Sequence, residues 1–325
     1  SYEAMVNNTT KPIIQEVKNA SQAEAIMKMA FAVAGSNEAF RMDPFTALLV
    51  ENEEALSIKA AAADVVIAGA KQGVPVIFSS KLITGLTAPQ ASAGAIVCAL
   101  ANALAAITLS QMTAAGSPIV LGGFFSMNDT DNDTCPYGAP EVALLGAGLS
   151  AVLGSLNIPC FGFAGATDAK ISDAQMGLES TFSLLHAGLA GTNLIYGAGQ
   201  METGEYGSAF LLVMASEVMG MTRRIIQGVT MDEDRLARGV IDAVQPGGHY
   251  LGSPHTRYYF KKEQFWPKLM NRARIDDWTA AGARSLGQRT MEMTRSLLAM
   301  ATPEPLPSET QEKIQAIVAK ADAKL

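Results

Sequence analysis

The sequence predicts an α/β protein, a TIM (β/α)8 barrel with about six βα units visible in this chain and a C-terminal helical extension. Three observations predict it. Six short β-rich runs recur along the first two hundred residues, each followed by an Ala- and Leu-rich segment of helical length. The runs are almost continuously apolar rather than alternating, as parallel strands covered on both faces are. The first βα turns lack GxGxxG and no GxxxxGK[ST] occurs anywhere, so a doubly wound nucleotide-binding sheet has no support.

The chain opens on SYEAMVNNTTKP, a polar stretch without a signal peptide's apolar core, expected to lead straight into the first strand. The strands are PIIQEV from Pro12, FTALLV from Phe45, PVIFSS from Pro75, PIVLGG from Pro118, PCFGFA from Pro159 and NLIYGA from Asn193. Four begin with proline, which is tolerated at a strand's first residue. Their spacing of roughly 30 to 40 residues is that of successive βα units. Ser21, with Glu24 three residues on, reads as a capping box for the first long helix. Ser172 is the expected cap of a later helix, DAQMGLESTFSLLHAGLAG, closed by Gly188 and Gly191. Six consecutive units favour a barrel, and since closure needs eight, the first two are expected upstream of Ser1.

After Ser208 the character changes. Helical patterns run through AFLLVMASEVMGMTRRIIQG and MDEDRLARGVIDAV, then the irregular QPGGHYLGSPHTRYYF, then further helix. PEPLPSE, Pro303 to Glu309, reads as a short linker before a terminal helix. Residues 1–234 hold 10 basic and 22 acidic side chains, whereas residues 235–325 hold 14 basic and 9 acidic. Residues 1–208 are therefore assigned to the βα units and residues 209–325 to a helical completion of the barrel and its extension.

Composition narrows the function classes. With 49% hydrophobic and 17% charged residues and a mean hydropathy of +0.18, the chain has the means for a well-filled core and is not a disordered segment. A net charge of −7 and the lack of any basic stripe argue against nucleic acid. Leu82 to Asn128 carries no charge, but Pro89, Gly116 and Pro118 with Asn102, Ser110 and Gln111 keep its apolar pieces below the roughly 20 residues a bilayer needs. A buried helix followed by a buried strand is expected there, in a soluble cytoplasmic protein. Cys98, Cys135 and Cys160 are an odd number without CxxC, which reads as reduced, packed thiols rather than a disulfide framework or zinc site.

In a barrel, chemistry gathers at the C-terminal strand ends. These are Gln15 and Glu16, Glu51 to Glu54, Ser79 to Lys81, Phe124 to Asp133, Asp168 to Lys170 and Gly197 to Tyr206. Five of the six carry carboxylates, interleaved with Phe78, Phe124, Phe125, Phe161, Phe163, Tyr196 and Tyr206. An acidic, aromatic mouth suits a cation, above all an alkylated ammonium that prefers ring faces; equally, such aromatics fill cores. Three stretches stand out. Gly162 to Glu179 leaves a strand through glycines and presents Asp168, Lys170 and Gln175, with Asp173 and Glu179 at the helix start. Tyr196 to Ser208 sets Glu202, Glu205 and Tyr206 among four glycines, either to approach a ligand or to turn a long loop. Gly247 to Thr256 holds His249 and His255 six apart, without HExxH geometry, and no metal site is assigned.

GFAGATDAKISDAQMGLES, the opening NNTTKPI, and GGHYLGSPHT with the downstream FWPKLMNR resemble the trimethylamine methyltransferase superfamily of corrinoid-dependent enzymes. The resemblance runs across essentially the whole chain. It implies a TIM barrel of which about a third precedes Ser1, and transfer of a methyl group from a methylated amine to the cobalt of a corrinoid (cobalamin) carried by a separate protein. No cofactor is then expected on this chain itself. Trimethylamine-specific members carry pyrrolysine, which is not among these residues; pyrrolysine-free members act on quaternary amines such as glycine betaine. The expected function is therefore methyl transfer from glycine betaine or a related betaine to a corrinoid partner, by a homo-oligomer. Phe124, Glu202, Glu205 and Tyr206 would form the ammonium cage. His249 and His255 would contact the substrate carboxylate or the corrinoid, and Asp168, Lys170 and Gln175 would shape the catalytic site. Two competitors are a barrel lyase or aldolase using Lys170 as a Schiff-base amine, and a quaternary-amine binding protein without transfer.

Overall fold

All six apolar runs form strands, and they pair in sequence order. β1 (Ile13–Glu16), β2 (Thr46–Asn52), β3 (Val76–Thr84), β4 (Ile119–Met127), β5 (Cys160–Phe163) and β6 (Leu194–Tyr196) make one curled parallel sheet, each bonded to its neighbour in sequence. The computed structural model describes residues 1–300 and 303–323. Helices fill the connections: α1 (Tyr2–Asn8) precedes β1, α2 (Ala20–Ala34) and α3 (Asn37–Met42) follow it, and α4 (Ala60–Gln72), α5 (Ser92–Thr113), α6 (Pro140–Ser155) and α7 (Ala174–Leu189) each follow the next strand in turn.

Side chains alternate across a strand, so the inner strands β2 to β5 serve two cores, while the edge strands leave Ile14 and Leu194 partly exposed. Leu48, Val50, Val76, Phe78, Leu121, Phe125 and Cys160 pack under the helices, against residues such as Ala23, Val65, Ala95 and Leu145. Leu49, Ile77 and Phe161 form a separate cluster on the other face with Ala47, Val120 and Tyr196. The runs look continuously apolar because both faces are used. The helical side is rich in alanine because small residues let a helix lie close to the sheet: Ala95, Ala99, Ala103 and Ala106 of α5 are all fully buried.

Beyond β6, β7 (Gln200–Met201) and β8 (Tyr206–Gly207) form a small antiparallel hairpin before α8 (Ala209–Ile226). The elements that follow among the described residues are helices: α9 (Glu233–Leu236), α10 (Arg238–Val244), α11 (Pro254–Tyr259), α12 (Ile275–Ala280), α13 (Leu286–Leu298) and α14 (Ser308–Asp322). α14 starts at Ser308, two residues inside the stretch expected to be a linker, and it returns to the first core by burying Ile314.

Several local expectations are corrected. The opening is a helix, α1, because Tyr2 and Val6 are buried and the Tyr2 hydroxyl hydrogen-bonds Thr46 Oγ1 at 2.8 Å. The cap of α2 is Asn19 rather than Ser21: its Oδ1 accepts from the Gln22 amide at 3.0 Å, and Gln22 Oε1 accepts from the Lys18 amide at 2.9 Å. Likewise Asp173, not Ser172, caps α7, accepting from the amides of Gln175 and Met176; a carboxylate also suits the positive helix end. Gly188 lies inside α7 and Gly191, at φ +78, ends it. Residues 231–244 are not one helix, since Ala237 takes a left-handed φ of +51 between α9 and α10. α5 is buried on one face only: its 22 residues have a mean hydropathy of 1.9, long and apolar enough to cross a membrane, yet it packs on β3 and β4 and exposes Val97 and Met112. Its buried Asn102 is accounted for by a 2.8 Å bond to the Glu54 carbonyl.

Candidate functional site

The alternation that makes the second core continues upward to the strand ends. Glu16 is two residues past Ile14, Glu51 two past Leu49, Lys81 four past Ile77, Phe124 four past Val120, Phe163 two past Phe161, and Tyr196 two past Leu194. All six therefore project from one face of the sheet. They line a cavity of about 260 Å³ at the carboxyl ends of the strands, with Tyr137 and with Gln200, Thr203, Gly204 and Glu205 of the hairpin. A larger groove of about 620 Å³ runs between α2 and α4, but it lies on the outer helical surface, away from the strand ends. In parallel α/β sheets ligands bind at those ends, where here rings and charges converge.

Register sets the aromatic wall. Lys81 pairs with Phe124, Gly123 with Gly162, and Phe163 with Tyr196, so Phe124, Phe163 and Tyr196 stand at one level on adjacent strands. Phe124, Tyr137 and Phe163 meet edge to face, with ring centroids 4.4 to 5.1 Å apart. Tyr196 lies 5.9 Å from Phe163. Gly197, at φ +112, is required beside this wall: a Cβ there would come within 2.7 Å of the Phe163 ring. Burial pushes the Tyr137 and Tyr196 hydroxyls above the usual phenol range, so both present neutral rings at physiological pH.

The charges are unbalanced. Three carboxylates, Glu16, Glu51 and Glu205, line the cavity against one ammonium, Lys81. Lys81 Nζ is 3.3 Å from Glu51 and 3.6 Å from Glu53, and stands 5.8 Å from the Phe124 ring centroid. Burial raises the Glu51 pKa, Lys81 opposes that, and the nearby Glu16 and Glu53 add to it. Burial acts to lower the Lys81 pKa, but Glu51, Tyr137 and Glu53 outweigh it and the net shift is upward, so the lysine stays charged. The carboxylate loop is held by buried Asn52, which donates to the Glu54 and Ser57 carbonyls and accepts from the Lys59 amide. Ser79, paired in register with Glu51, has a buried hydroxyl with no hydrogen-bond partner.

Hydrogen bonds from the loop after β5 hold Tyr137 in place. Asp168 accepts from the backbone amides of Tyr137 and Gly138, both at 2.8 Å. Glu179 accepts from Thr167 Oγ1 at 2.5 Å, from the Asp168 amide and from Gln175 Nε2. The Gly162–Glu179 stretch thus clamps the loop after β4 across some thirty residues of sequence.

Of the residues expected from sequence, Phe124 and Glu205 line the cavity. Glu202 and Tyr206 belong to the same hairpin but are not among its walls, and Tyr206 is 62% exposed. Glu202 and Thr203 adopt left-handed φ of +45 and +52, a strained tip for two residues other than glycine. Asp168 stands behind the aromatic wall through the Tyr137 amide, and exposed Gln175 reaches it only by way of Glu179. Lys170 is exposed, its ammonium donating to the Asp168 carbonyl at 2.8 Å. His249 is exposed, and His255 Nε2 bonds the Asp234 carbonyl at 3.0 Å in the helical segment. Glu16, Glu51, Lys81, Phe163 and Tyr196 stood among the strand-end residues, but only the alternation from Leu49 and Ile77 singles them out. Tyr137 has no local signal at all, since Asp168 places it from 31 residues away. Among the described residues, no group of three His, Cys, Asp or Glu side chains is arranged to hold a metal ion.

With this geometry established, comparison with known proteins decides the family. The trimethylamine methyltransferase (MTTB) family profile matches residues 1–325. This chain belongs to that family. It is 34% identical over 97% of its length to a trimethylamine methyltransferase of Desulfitobacterium hafniense, covering 64% of that protein. It is 33% identical over 89% of its length to a trimethylamine methyltransferase of Methanosarcina mazei, covering 58% of it. A glycine betaine methyltransferase from another Desulfitobacterium hafniense strain is 29% identical over 97% of the chain, which covers 66% of that relative. The chain thus spans about three fifths of the length of the trimethylamine methyltransferases it matches. The family relatives include enzymes named for two different methylated amines, one tertiary and one quaternary.

Proposed function

We propose that the protein moves a methyl group from a quaternary amine, glycine betaine or a related betaine, to the cobalt of a corrinoid held by a partner protein. The six-stranded sheet is then part of a (β/α)8 barrel, with residues 209–325 completing and extending it. The observation that carries the reading is the cavity itself: four aromatic side chains and three carboxylates around one lysine, at the carboxyl ends of parallel strands. Such walls favour an ammonium that is permanently charged and offers methyl groups to ring faces rather than N–H donors.

The chemistry asks little else of the chain. A quaternary nitrogen already carries the charge that makes its amine a leaving group, so the carbon–nitrogen bonding pair returns to nitrogen and no proton has to move. Trimethylamine, by contrast, has a comparable leaving group only while it is protonated, because the free amine would have to expel a dimethylamide anion. This chain's residues orient the cation, strip its water and hold it against Glu205 and the rings. The corrinoid, as methyl acceptor, supplies the nucleophile. The test follows methylcobalamin absorbance with reduced cobalamin and each amine in turn. Transfer from at least one betaine should exceed transfer from trimethylamine; faster transfer from trimethylamine than from every betaine tried refutes the assignment.

A pH dependence follows from Glu51. Its pKa is raised by burial, so below that raised value it is neutral and attracts no cation. Affinity for tetramethylammonium, whose charge does not titrate, should therefore rise as pH increases from the ordinary carboxylate range through the raised pKa. Glu51→Gln should flatten that limb. Titration by calorimetry across pH checks it, and an unchanged profile in the variant removes Glu51 from the site.

A further inference from the structure

Lys81 is the one cation among the residues that line the cavity, and nothing in the reading of the site as an ammonium cage requires it. A ligand that was only a cation would meet an ammonium where a further carboxylate or ring would serve it better. We infer that Lys81 is the specificity-determining residue that receives the carboxylate of a zwitterionic betaine while the rings and Glu205 hold its ammonium end. The inference rests on the proposed function and names the anionic half of its substrate.

The geometry supports it in two ways. Lys81 and Phe124 are paired in register on adjacent strands, and the ammonium stands 5.8 Å from the Phe124 ring centroid. A zwitterion whose two charges are a few ångströms apart would span from the rings to Lys81. The Lys81 side chain is 29% exposed, with its ammonium near two carboxylates at 3.3 and 3.6 Å. An ammonium has three donors, so one is left for a ligand.

The test compares two ligands of like ammonium: glycine betaine, which carries a carboxylate, and tetramethylammonium, which does not. Binding is measured by calorimetric titration for the wild-type chain, Lys81→Met and Lys81→Arg, with thermal melting to show that each is folded. Lys81→Met should weaken glycine betaine about tenfold or more, leave tetramethylammonium unchanged or tighter because Glu51 loses its counter-ion, and Lys81→Arg should recover most of the betaine affinity. If Lys81→Met binds betaine as well as or better than the wild type, or loses both ligands equally, the inference is overturned while the proposed function stands. If the wild-type chain binds neither ligand, the proposed function falls and takes the inference with it. If Lys81→Met does not fold, Lys81→Arg and Lys81→Gln carry the same comparison, and equal loss of both ligands in Lys81→Gln again overturns it.

Discussion

Gly122→Ala is expected to destabilise the protein by about 3 kcal/mol or more, the upper range for overpacking a rigid interior. Gly122 sits mid-strand in β4, where an added Cβ would lie 1.9 Å from the Phe161 carbonyl oxygen and 2.7 Å from its carbon. That obstacle is backbone, so it cannot rotate away as a side chain would. Relief requires β4 and β5 to separate next to the paired Leu121–Cys160, Gly122–Phe161 and Gly123–Gly162 positions. The strain would reach the site, because the same register sets Phe124 beside Phe163. Gly146→Ala in α6, where a Cβ meets nothing within 4 Å, is the control. It should be neutral or stabilising by about 0.5–1 kcal/mol, the helix propensity difference. Urea denaturation midpoints of the two variants check both; equal stabilities would mean that β4 and β5 tolerate separation.

Asp168→Ala should cost about 3 kcal/mol and also weaken cation binding. Its carboxylate is the acceptor for two backbone N–H groups, those of Tyr137 and Gly138, each at 2.8 Å. Alanine leaves both without that partner and frees the loop that presses Tyr137 edge to face on Phe124 and Phe163. Asp168→Asn keeps one acceptor oxygen but turns an amide N–H₂ toward the other donor, so its loss should be intermediate. The measurement pairs thermal melting with tetramethylammonium titration. Affinity equal to wild type in a folded Asp168→Ala protein would show that the Tyr137 ring is not part of the cage. Asp168 is a positioning residue in this account: it acts on the ligand only through Tyr137.

The comparison of sequence with structure turns on which interactions are local. Six strands were legible to within a residue or two at their starts, because each run is apolar and has proline or asparagine at or just before its start. Caps were less so. Asn19 and Ser21 both have the chemistry of an N-cap, and the choice depends on where the chain leaves β1, which no pattern of neighbours states. α1 was unreadable because its two buried side chains, Tyr2 and Val6, find partners only in the folded core, Tyr2 reaching Thr46 some forty residues away.

The sequence by itself determined the parallel βα order, the acidic and aromatic character of the strand ends, and the family to which the chain belongs, since each depends on residue type and spacing along the chain. Only the tertiary structure decided which of those strand-end residues share a cavity. Side-chain direction on a strand alternates from one residue to the next, and the relative height of two strands depends on their register, so neither is available until Lys81 is seen opposite Phe124 and Phe163 opposite Tyr196. For the same reason Tyr137, carried in by the Asp168 carboxylate, belongs wholly to the fold, as does the isolation of Lys81 among the carboxylates.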